Sequence, residues 1–116
     1  PQLVVCDVSF ISVKTALPPL LRLAAPGWEA LVLVKPQFEA GRADTPKGVV
    51  RDPGVRRRVL RDVCAAAASW GSSVVGVVDS GLPGPKGNRE FLVHLVDSPE
   101  PTDADERERW IDDAGG

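Results

Sequence analysis

The sequence predicts an α/β fold, namely the C-terminal half of a doubly wound sheet in which parallel strands end in an antiparallel hairpin. Short apolar runs alternate with segments of helical periodicity, which is typical of a sheet covered by helices. The last two apolar runs, 73–80 and 89–97, are joined by about eight residues, too few for a parallel crossover. The length of 116 residues suits one small domain.

Two strands and a helix are predicted in the first third of the chain. The apolar run LVVCDVS at 3–9 stops at polar residues and predicts a buried strand. Ser12 is a typical N-cap for a helix that runs to about Ala25. The second predicted strand is EALVLVK at 29–35. The polar residues 36–51 after it predict a long loop, and loops of that length are usually functional or mobile.

The clearest helix begins at Asp52. An aspartate is a favourable N-cap, and Pro53 suits the first helical position. One face is apolar at helical spacing and is predicted to lie in the core: Val55, Val59, Leu60, Val63, Ala67 and Trp70. The arginines expected to point away from that face are Arg56, Arg57 and Arg61. Gly71 ends the helix, and GLPGPKGN at 81–88 predicts a hairpin loop before the last strand.

Charge divides the chain into two parts. Residues 97–116 hold eight acidic residues against two arginines, a net charge of −6, whereas residues 1–96 carry 12 basic and eight acidic residues, a net charge of +4. The tail shows no core pattern. We therefore expect 1–96 to be the folded part and 97–116 to be disordered, apart from a short helix around 106–111.

Composition narrows the class of protein. No apolar run approaches the ~18 residues needed to span a bilayer. Cys6 and Cys64 lie far apart and match no CxxC motif, which favours a reduced cytoplasmic protein and leaves a disulfide open. His94 is the only histidine, so no metal site is expected. Because the sequence starts at Pro1 without a methionine and an apolar core run begins already at Leu3, we expect the chain to be a piece of a longer protein.

Three charged residues are predicted to converge on one edge of the sheet. Asp7 follows LVVC and Lys35 follows LVLV, so both lie at the carboxyl ends of parallel strands, where doubly wound sheets bind ligands. Glu90 opens the last strand. Because that strand runs antiparallel to the others, its start lies at the same edge as their ends.

The same residues carry a resemblance to a known family. The blocks VVCDVSFIS, LVKPQFEAGR, KGVVRDP and LPGPKGNREFLVHL resemble those of the TlyA family, hemolysin-like ribosomal RNA 2'-O-methyltransferases related to the FtsJ-type enzymes. The resemblance covers residues 2–96. It implies a Rossmann-like, S-adenosylmethionine-dependent methyltransferase fold, of which this chain is the C-terminal half.

The resemblance implies roles for the three charged residues. A Lys-Asp-Lys-Glu tetrad supports methyl transfer to a ribose hydroxyl in the family, and its last three members fall on Asp7, Lys35 and Glu90. Asp7 would also contact the cofactor, S-adenosylmethionine. The first lysine, the glycine-rich cofactor loop and the acidic residue that holds the cofactor ribose lie upstream in the family and have no match here. The missing N-terminal half of the domain is therefore the expected partner, and the fragment alone is expected to be inactive.

Basic residues near Lys35 predict the RNA partner. Arg42, Lys47 and Arg51 lie on the long loop and are predicted to hold phosphates of ribosomal RNA or of a ribosomal subunit. The ordinary alternative is a solvated basic surface. Phe10 and Phe38 could stack on a base, although core packing is the default interpretation of both.

Two interpretations of Lys35, and two classes of function, remain open. A strand-end lysine either extends its amine to water or serves as the base that takes the proton of a ribose hydroxyl. The chain is accordingly part of an RNA 2'-O-methyltransferase, or a non-catalytic RNA-binding or hemolysin-type membrane-active protein. No segment is both basic and strongly apolar at helical period, which disfavours membrane activity.

Overall fold

The computed structural model describes residues 2–8 and 11–116, and over them it shows one mixed sheet with helices. The strands are β1 (Leu3–Cys6), β2 (Glu29–Val34), β3 (Ser73–Pro83) and β4 (Arg89–Val96). The helices are α1 (Val13–Leu23), α2 (Pro36–Glu39), α3 (Pro53–Ser69) and α4 (Ala104–Gly115). Single 3-10 turns cover Arg42–Asp44, Pro46–Gly48 and Pro85–Gly87. The predicted α/β class is confirmed.

The sheet has the order β1-β2-β4-β3. β1 and β2 are parallel, and β4 is antiparallel to both β2 and β3, so the predicted hairpin is confirmed. β4, the last strand in the sequence, therefore lies between β2 and β3 in the sheet. Val34 at the end of β2 pairs with Phe91 near the start of β4. The carboxyl ends of β1 and β2 and the amino end of β4 therefore share one edge of the sheet.

The core lies on one face of the sheet. Side chains of β1, β2 and β4 that point to this face are almost fully buried, among them Cys6, Ala30, Val32, Val34, Phe91, Val93 and Leu95. α1 contributes Leu17 and Leu21, and α3 contributes its predicted apolar face to the same cluster. On the opposite face Leu3 is 60% exposed and Val5 67% exposed. The sheet is therefore covered by helices on one side and open at β1 on the other.

The helix starts follow the predicted capping chemistry. The Ser12 side chain accepts a hydrogen bond from the Lys14 N–H, and α1 begins at Val13, directly after Ser12. The Asp52 carboxylate accepts from the Gly54 N–H at 2.8 Å, and Pro53 occupies the first helical position. Both predicted N-caps are confirmed because each side chain satisfies an amide that has no partner within its helix.

The expectation of a long loop over 36–51 is wrong. The segment forms α2 and two 3-10 turns, and prolines stand at the first helical position of α2 and of the second turn. Glu39 also joins the segment to α1, since its carboxylate accepts from Ser12 Oγ at 2.5 Å and from the Val13 N–H at 2.8 Å. This long-range capping contact is not visible as a sequence pattern.

The expectation of a disordered tail over 97–116 is also corrected. α4 is 12 residues long, twice the short helix expected around 106–111, and it begins at the N-cap Asp103. Ile111 is fully buried and Ala114 is 5% exposed, both within the core cluster. The polar composition of the tail concealed this narrow apolar stripe, which packs against α3 and β3.

Other expectations are settled or fall outside the described residues. Cys6 and Cys64 are free and buried, so no disulfide joins them. Over the described parts of the chain, no helix is both long and apolar enough to cross a membrane. Phe10, for which a stacking role was predicted, lies outside the described residues.

Candidate active site

Asp7 and Lys35 form an ion pair at the edge where β1 and β2 end. Lys35 Nζ lies 2.6 Å from Asp7 Oδ1. The Lys35 side chain is only 13% exposed, whereas that of Asp7 is 57% exposed. The lysine therefore does not simply extend into water. Its amine is held beneath the surface by a carboxylate that remains accessible.

Glu90 lies at the same edge and is held by α2. It is 8% exposed, and its Oε2 accepts a hydrogen bond from Gln37 Nε2 at 3.0 Å. Because Val34 pairs with Phe91, Lys35 and Glu90 each lie one residue beyond that pair. The structure therefore brings the three predicted residues to one edge, with Asp7 bound to Lys35 and Glu90 bound through Gln37 to the segment that follows Lys35.

Gly84 is a residue that sequence reasoning assigned only to a turn. A Cβ at this position would lie 2.5 Å from Glu90 Oε2, which is closer than side chains approach one another. The backbone at Gly84 therefore passes directly over the Glu90 carboxylate. A larger residue here would push the Glu90 carboxylate aside, so the glycine leaves room for that carboxylate in its present position.

Two Pro-Lys-Gly turns, 46–48 and 85–87, lie together beside the site. Both lysines have left-handed backbone angles, with φ of 54° at Lys47 and 59° at Lys86. Lys86 Nζ donates to the Lys47 carbonyl at 3.0 Å. The repeated tripeptide was the available sequence signal, but nothing in its spacing indicates that the two copies meet.

Asn88 joins the two turns. Its Nδ2 donates to the carbonyls of Gly48 and Pro85, both at 2.9 Å, and its Oδ1 accepts from the Val50 N–H at 3.0 Å. Asn88 is 2% exposed, so these bonds are made in the interior. A buried amide with three hydrogen bonds fixes both turns relative to the sheet.

The predicted RNA-binding residues lie on the surface of this region. Arg42, Lys47 and Arg51 are all exposed. Arg42 begins the first 3-10 turn, and Lys47 belongs to the second. They are spread over the segment between α2 and α3 and remain accessible to a polyanion.

The arginines at the start of α3 behave differently from expectation. Arg56 was expected to point away from the core but is only 8% exposed, and its Nε donates to the Gly115 carbonyl at 3.2 Å. Burial, followed by the charge of nearby Arg89, lowers the pKa of Arg56. Ion pairs with α4 join Arg57 to Asp112, and Arg61 to Glu108 and Asp112. The acidic helix therefore covers much of the basic surface of α3.

Arg89 connects the hairpin to α4. It pairs with Asp79 on the neighbouring strand at 2.9 Å and donates to the Ala114 carbonyl at 2.5 Å. Burial alone would raise the pKa of Asp79, but the Gly81 N–H and the Arg89 guanidinium together lower it. This pair supports the strand that carries Glu90. Within residues 2–8 and 11–116, no three His, Cys, Asp or Glu side chains come together as a metal site.

The mixed sheet and the charged cluster at its strand ends define part of a doubly wound α/β domain with a candidate active site at its edge. The family model for FtsJ-like methyltransferases matches residues 1–96. The chain therefore belongs to the FtsJ-like methyltransferase family.

Individual relatives agree with this assignment. The Bacillus subtilis protein YqxC, a candidate rRNA methyltransferase, is 46% identical over 96 residues, which are 82% of this chain and 34% of YqxC. The 16S/23S rRNA (cytidine-2'-O)-methyltransferase TlyA of Mycobacterium tuberculosis H37Rv is 47% identical over 95 residues, 81% of this chain and 35% of TlyA. Hemolysin A of Brachyspira hyodysenteriae is 38% identical over 98 residues, 83% of this chain and 40% of that protein.

Two solved structures share the fold. A candidate hemolysin from Streptococcus thermophilus superposes with a TM-score of 0.86 at 40% identity, over 96% of this chain and 41% of the other. A candidate hemolysin from Lactococcus lactis superposes with a TM-score of 0.84 at 38% identity, over 94% of this chain and 55% of the other. The chain thus spans about a third of the length of YqxC and TlyA, and about half or less of these two structures.

Proposed function

We propose that this chain is the C-terminal part of the catalytic domain of an S-adenosylmethionine-dependent rRNA (cytidine-2'-O)-methyltransferase. The observation that carries the proposal is the Asp7–Lys35 pair at 2.6 Å, with Glu90 one residue beyond the end of the β2–β4 pairing. Family membership makes the reaction a methyl transfer, and the name of the Mycobacterium tuberculosis relative supports ribose and cytidine as the target.

In this proposal the neutral amine of Lys35, reached after its ammonium has given up a proton, accepts the proton of the ribose 2'-hydroxyl. A ribose hydroxyl is a weak nucleophile and must lose its proton as it attacks a methyl group. Asp7 holds the amine at the surface of the site, and Glu90, fixed by Gln37, orients the ribose. General-base catalysis of this kind contributes typically 10²–10⁴-fold to the rate.

The cofactor would be held only partly by this chain. S-adenosylmethionine, when bound, supplies the electrophilic methyl group. We assign Asp7 to contact it, and the half-exposed carboxylate of Asp7 at the carboxyl end of β1 supports this role. Gly81 lies near the end of β3, and Gly84 and Gly87 lie at the turn that leads into β4, so none of them opens an α-helix as the glycines of a phosphate-binding loop do. The rest of the cofactor site belongs to the upstream part of the domain, and we propose that the chain alone is inactive.

The partners follow from the same reaction. Arg42, Lys47 and Arg51 contact phosphates of ribosomal RNA or of a ribosomal subunit, which places the protein in the cytoplasm. The upstream part of the domain covers the open side of β1, where Leu3 and Val5 are exposed. No metal and no membrane take part in this mechanism.

The alternative is a non-catalytic RNA-binding or hemolysin-type membrane-active protein, because one relative is named Hemolysin A. Experiments on the full-length parent can distinguish the methyltransferase function from this alternative. Methylation of ribosomal RNA is measured beside lysis of red cells, in the wild type and in Lys35→Ala. Lysis that persists without any methyl transfer would favour the alternative.

Lys35→Ala in the full-length parent should lower the methylation rate by about 10²–10⁴-fold and leave RNA affinity within a few fold. The matched control is Lys14→Ala, since Lys14 is an exposed lysine on α1. Rates are measured by transfer of labelled methyl groups and affinity by filter binding. Near-normal turnover in Lys35→Ala would mean that the base lies elsewhere.

A further inference from the structure

Glu90 lies at a gap in the pairing of the sheet. The pairing of β4 with β2 ends at Phe91. On the β3 side Phe91 and Arg89 are both paired, but the three residues 80–82 lie between their partners, opposite Glu90 alone. Within the described part of the sheet, Glu90 therefore has no register partner on either neighbouring strand. Irregular pairing of this kind re-aims a side chain, but the position of Glu90 must then be fixed by other contacts.

Arg89 makes contacts on both sides of this gap. Its Nε and Nη2 each lie 2.9 Å from Asp79 Oδ2. The other carboxylate oxygen of Asp79 accepts a hydrogen bond from the Gly81 N–H at 2.8 Å, within the irregular segment. The guanidinium carbon of Arg89 also lies 5.5 Å from the centre of the Phe91 ring, a distance at which a cation is attracted to an aromatic face. Arg89 thus joins the segment opposite Glu90 to the residue that follows Glu90.

The same guanidinium binds the C-terminal end of α4. Arg89 Nη2 donates to the Ala114 carbonyl at 2.5 Å. The last carbonyls of a helix have no partner within it, and cationic side chains are favourable at that end. Arg56 Nε donates to the neighbouring Gly115 carbonyl at 3.2 Å, and Ile111 is fully buried. Arg89 is therefore attached to a helix end that is itself fixed to α3 and to the core.

The chemistry of arginine suits this arrangement. A guanidinium presents five donors in a planar fork and can bind a carboxylate and a carbonyl together, whereas a lysine ammonium is a compact point charge. The side chains of Arg89 and Asp79 are 35% and 36% exposed, and ion pairs at such exposure contribute little to stability. The contacts should therefore affect the position of Glu90 more than the free energy of unfolding.

We propose that Arg89 is a positioning residue for Glu90 and that α4 is the support against which it acts. The inference rests on the proposed function, in which Glu90 orients the ribose. Without the contacts of Arg89 the unpaired backbone at Glu90 can shift, and an error of about 1 Å in a reacting group can cost up to about 10²-fold in rate. Arg89 acts through Glu90 and does not itself contact the substrate.

The test measures kcat and KM for RNA methylation by variants of the full-length parent. Arg89→Met should lower kcat about tenfold, while KM for RNA and the salt dependence of RNA binding stay unchanged. Arg89→Lys, which keeps the charge but not the fork, should recover part of kcat. Asp79→Asn keeps an acceptor for the Gly81 N–H and should lower kcat about threefold. The double variant should lose no more than Arg89→Met alone, because both changes remove the same contact.

Arg61→Met is the matched control. Arg61 also forms ion pairs with acidic side chains of α4, but it lies on α3 rather than beside Glu90. Its loss should leave kcat within about twofold of the wild type. Circular dichroism of each variant checks that the fold is kept.

Backbone hydrogen exchange over residues 84–91, followed by mass spectrometry, lets the two proposals fail separately. Exchange should be faster in Arg89→Met than in the wild type and unchanged in Arg61→Met. Faster exchange in a parent that transfers no methyl group supports the positioning contact and contradicts the proposed function. Methylation that depends on Lys35 but keeps its kcat in Arg89→Met overturns the inference. A raised KM with a smaller salt slope in Arg89→Met would make Arg89 an RNA contact and would also overturn it.

Discussion

At the scale of single residues, the site depends on close contacts that the spacing of the sequence does not reveal. Lys35 and Asp7 were predicted to meet because strand ends converge, and the structure joins them directly. The hydrogen bond from Gln37 to Glu90 and the space that Gly84 leaves beside Glu90 were not predicted, since each depends on an individual position. The hydrogen bond from Gln37 holds the Glu90 carboxylate in place.

Gly84→Ala tests whether methyl transfer depends on the position of the Glu90 carboxylate. The new methyl group must displace the Glu90 carboxylate, and an error of about 1 Å in a reacting group can cost up to about 10²-fold. We expect the methylation rate of the full-length parent to fall about 10- to 100-fold with RNA affinity unchanged. Gly41→Ala is the matched control, since no atom lies within 4 Å of a Cβ there. Equal activity of both variants would show that Glu90 needs no fixed position.

Cys64 gives a pH-dependent prediction. Burial raises the pKa of its thiol from 9.0 to about 11, so the unfolded chain loses this proton first as the pH rises. The free energy of unfolding should therefore fall between pH 9 and about 11, by roughly 3 kcal/mol at most for this group. Urea unfolding at pH 8 and at pH 10.5 should show a smaller loss in Cys64→Ala. Parallel curves for the two proteins would contradict the prediction. Burial also raises the pKa of Cys6, but Cys6 is present in both the wild type and Cys64→Ala, so it does not account for a difference between them.

At the scale of elements, regular structure was predictable where its cause is local. The caps Ser12 and Asp52 and the antiparallel hairpin follow from neighbouring residues, and all are confirmed. Only a short helix at 106–111 was predicted within α4, because the full helix depends on contacts with arginines of α3 about 50 positions earlier and on the burial of Ile111. The meeting of the two Pro-Lys-Gly turns is likewise a long-range event, made by Asn88.

The segment between α2 and α3 gives the prediction for RNA binding. Because α4 already engages arginines of α3, the exposed Lys47 and Arg51 should carry much of the phosphate contact. Lys47→Ala combined with Arg51→Ala should weaken RNA binding and lower its salt slope by about 2, at about 1 for each contact. Cofactor affinity should hardly change. RNA affinity is measured by filter binding over a range of salt concentrations, and cofactor affinity by calorimetry. An unchanged slope of RNA affinity against salt would mean that the RNA phosphates bind at other residues.

At the scale of the whole molecule, one face of the sheet is covered by helices and the other is exposed to solvent at β1. α1 and α3 cover the side of the sheet that holds Val32, Val34 and Phe91. The other side is open at β1, where Leu3 is 60% and Val5 67% exposed. An edge strand with exposed apolar residues is a ready site for pairing with another chain. The short length of the match within YqxC and TlyA agrees with a further part of the domain covering this face.

The isolated chain should therefore be marginally stable and should associate through β1. Each exposed apolar side chain forgoes the burial that contributes about 1.5–3 kcal/mol, and typical domains are stable by only about 5–15 kcal/mol in total. Sedimentation velocity should show dimers or larger species that increase with concentration, and Val5→Lys should suppress them because a charge on an edge strand blocks pairing. Val78→Lys is the control, since Val78 is 55% exposed on the opposite edge strand. A monomer that unfolds cooperatively with several kcal/mol of stability would contradict the prediction. In that case the sheet is complete without further strands, and the partner proposed for β1 is unnecessary.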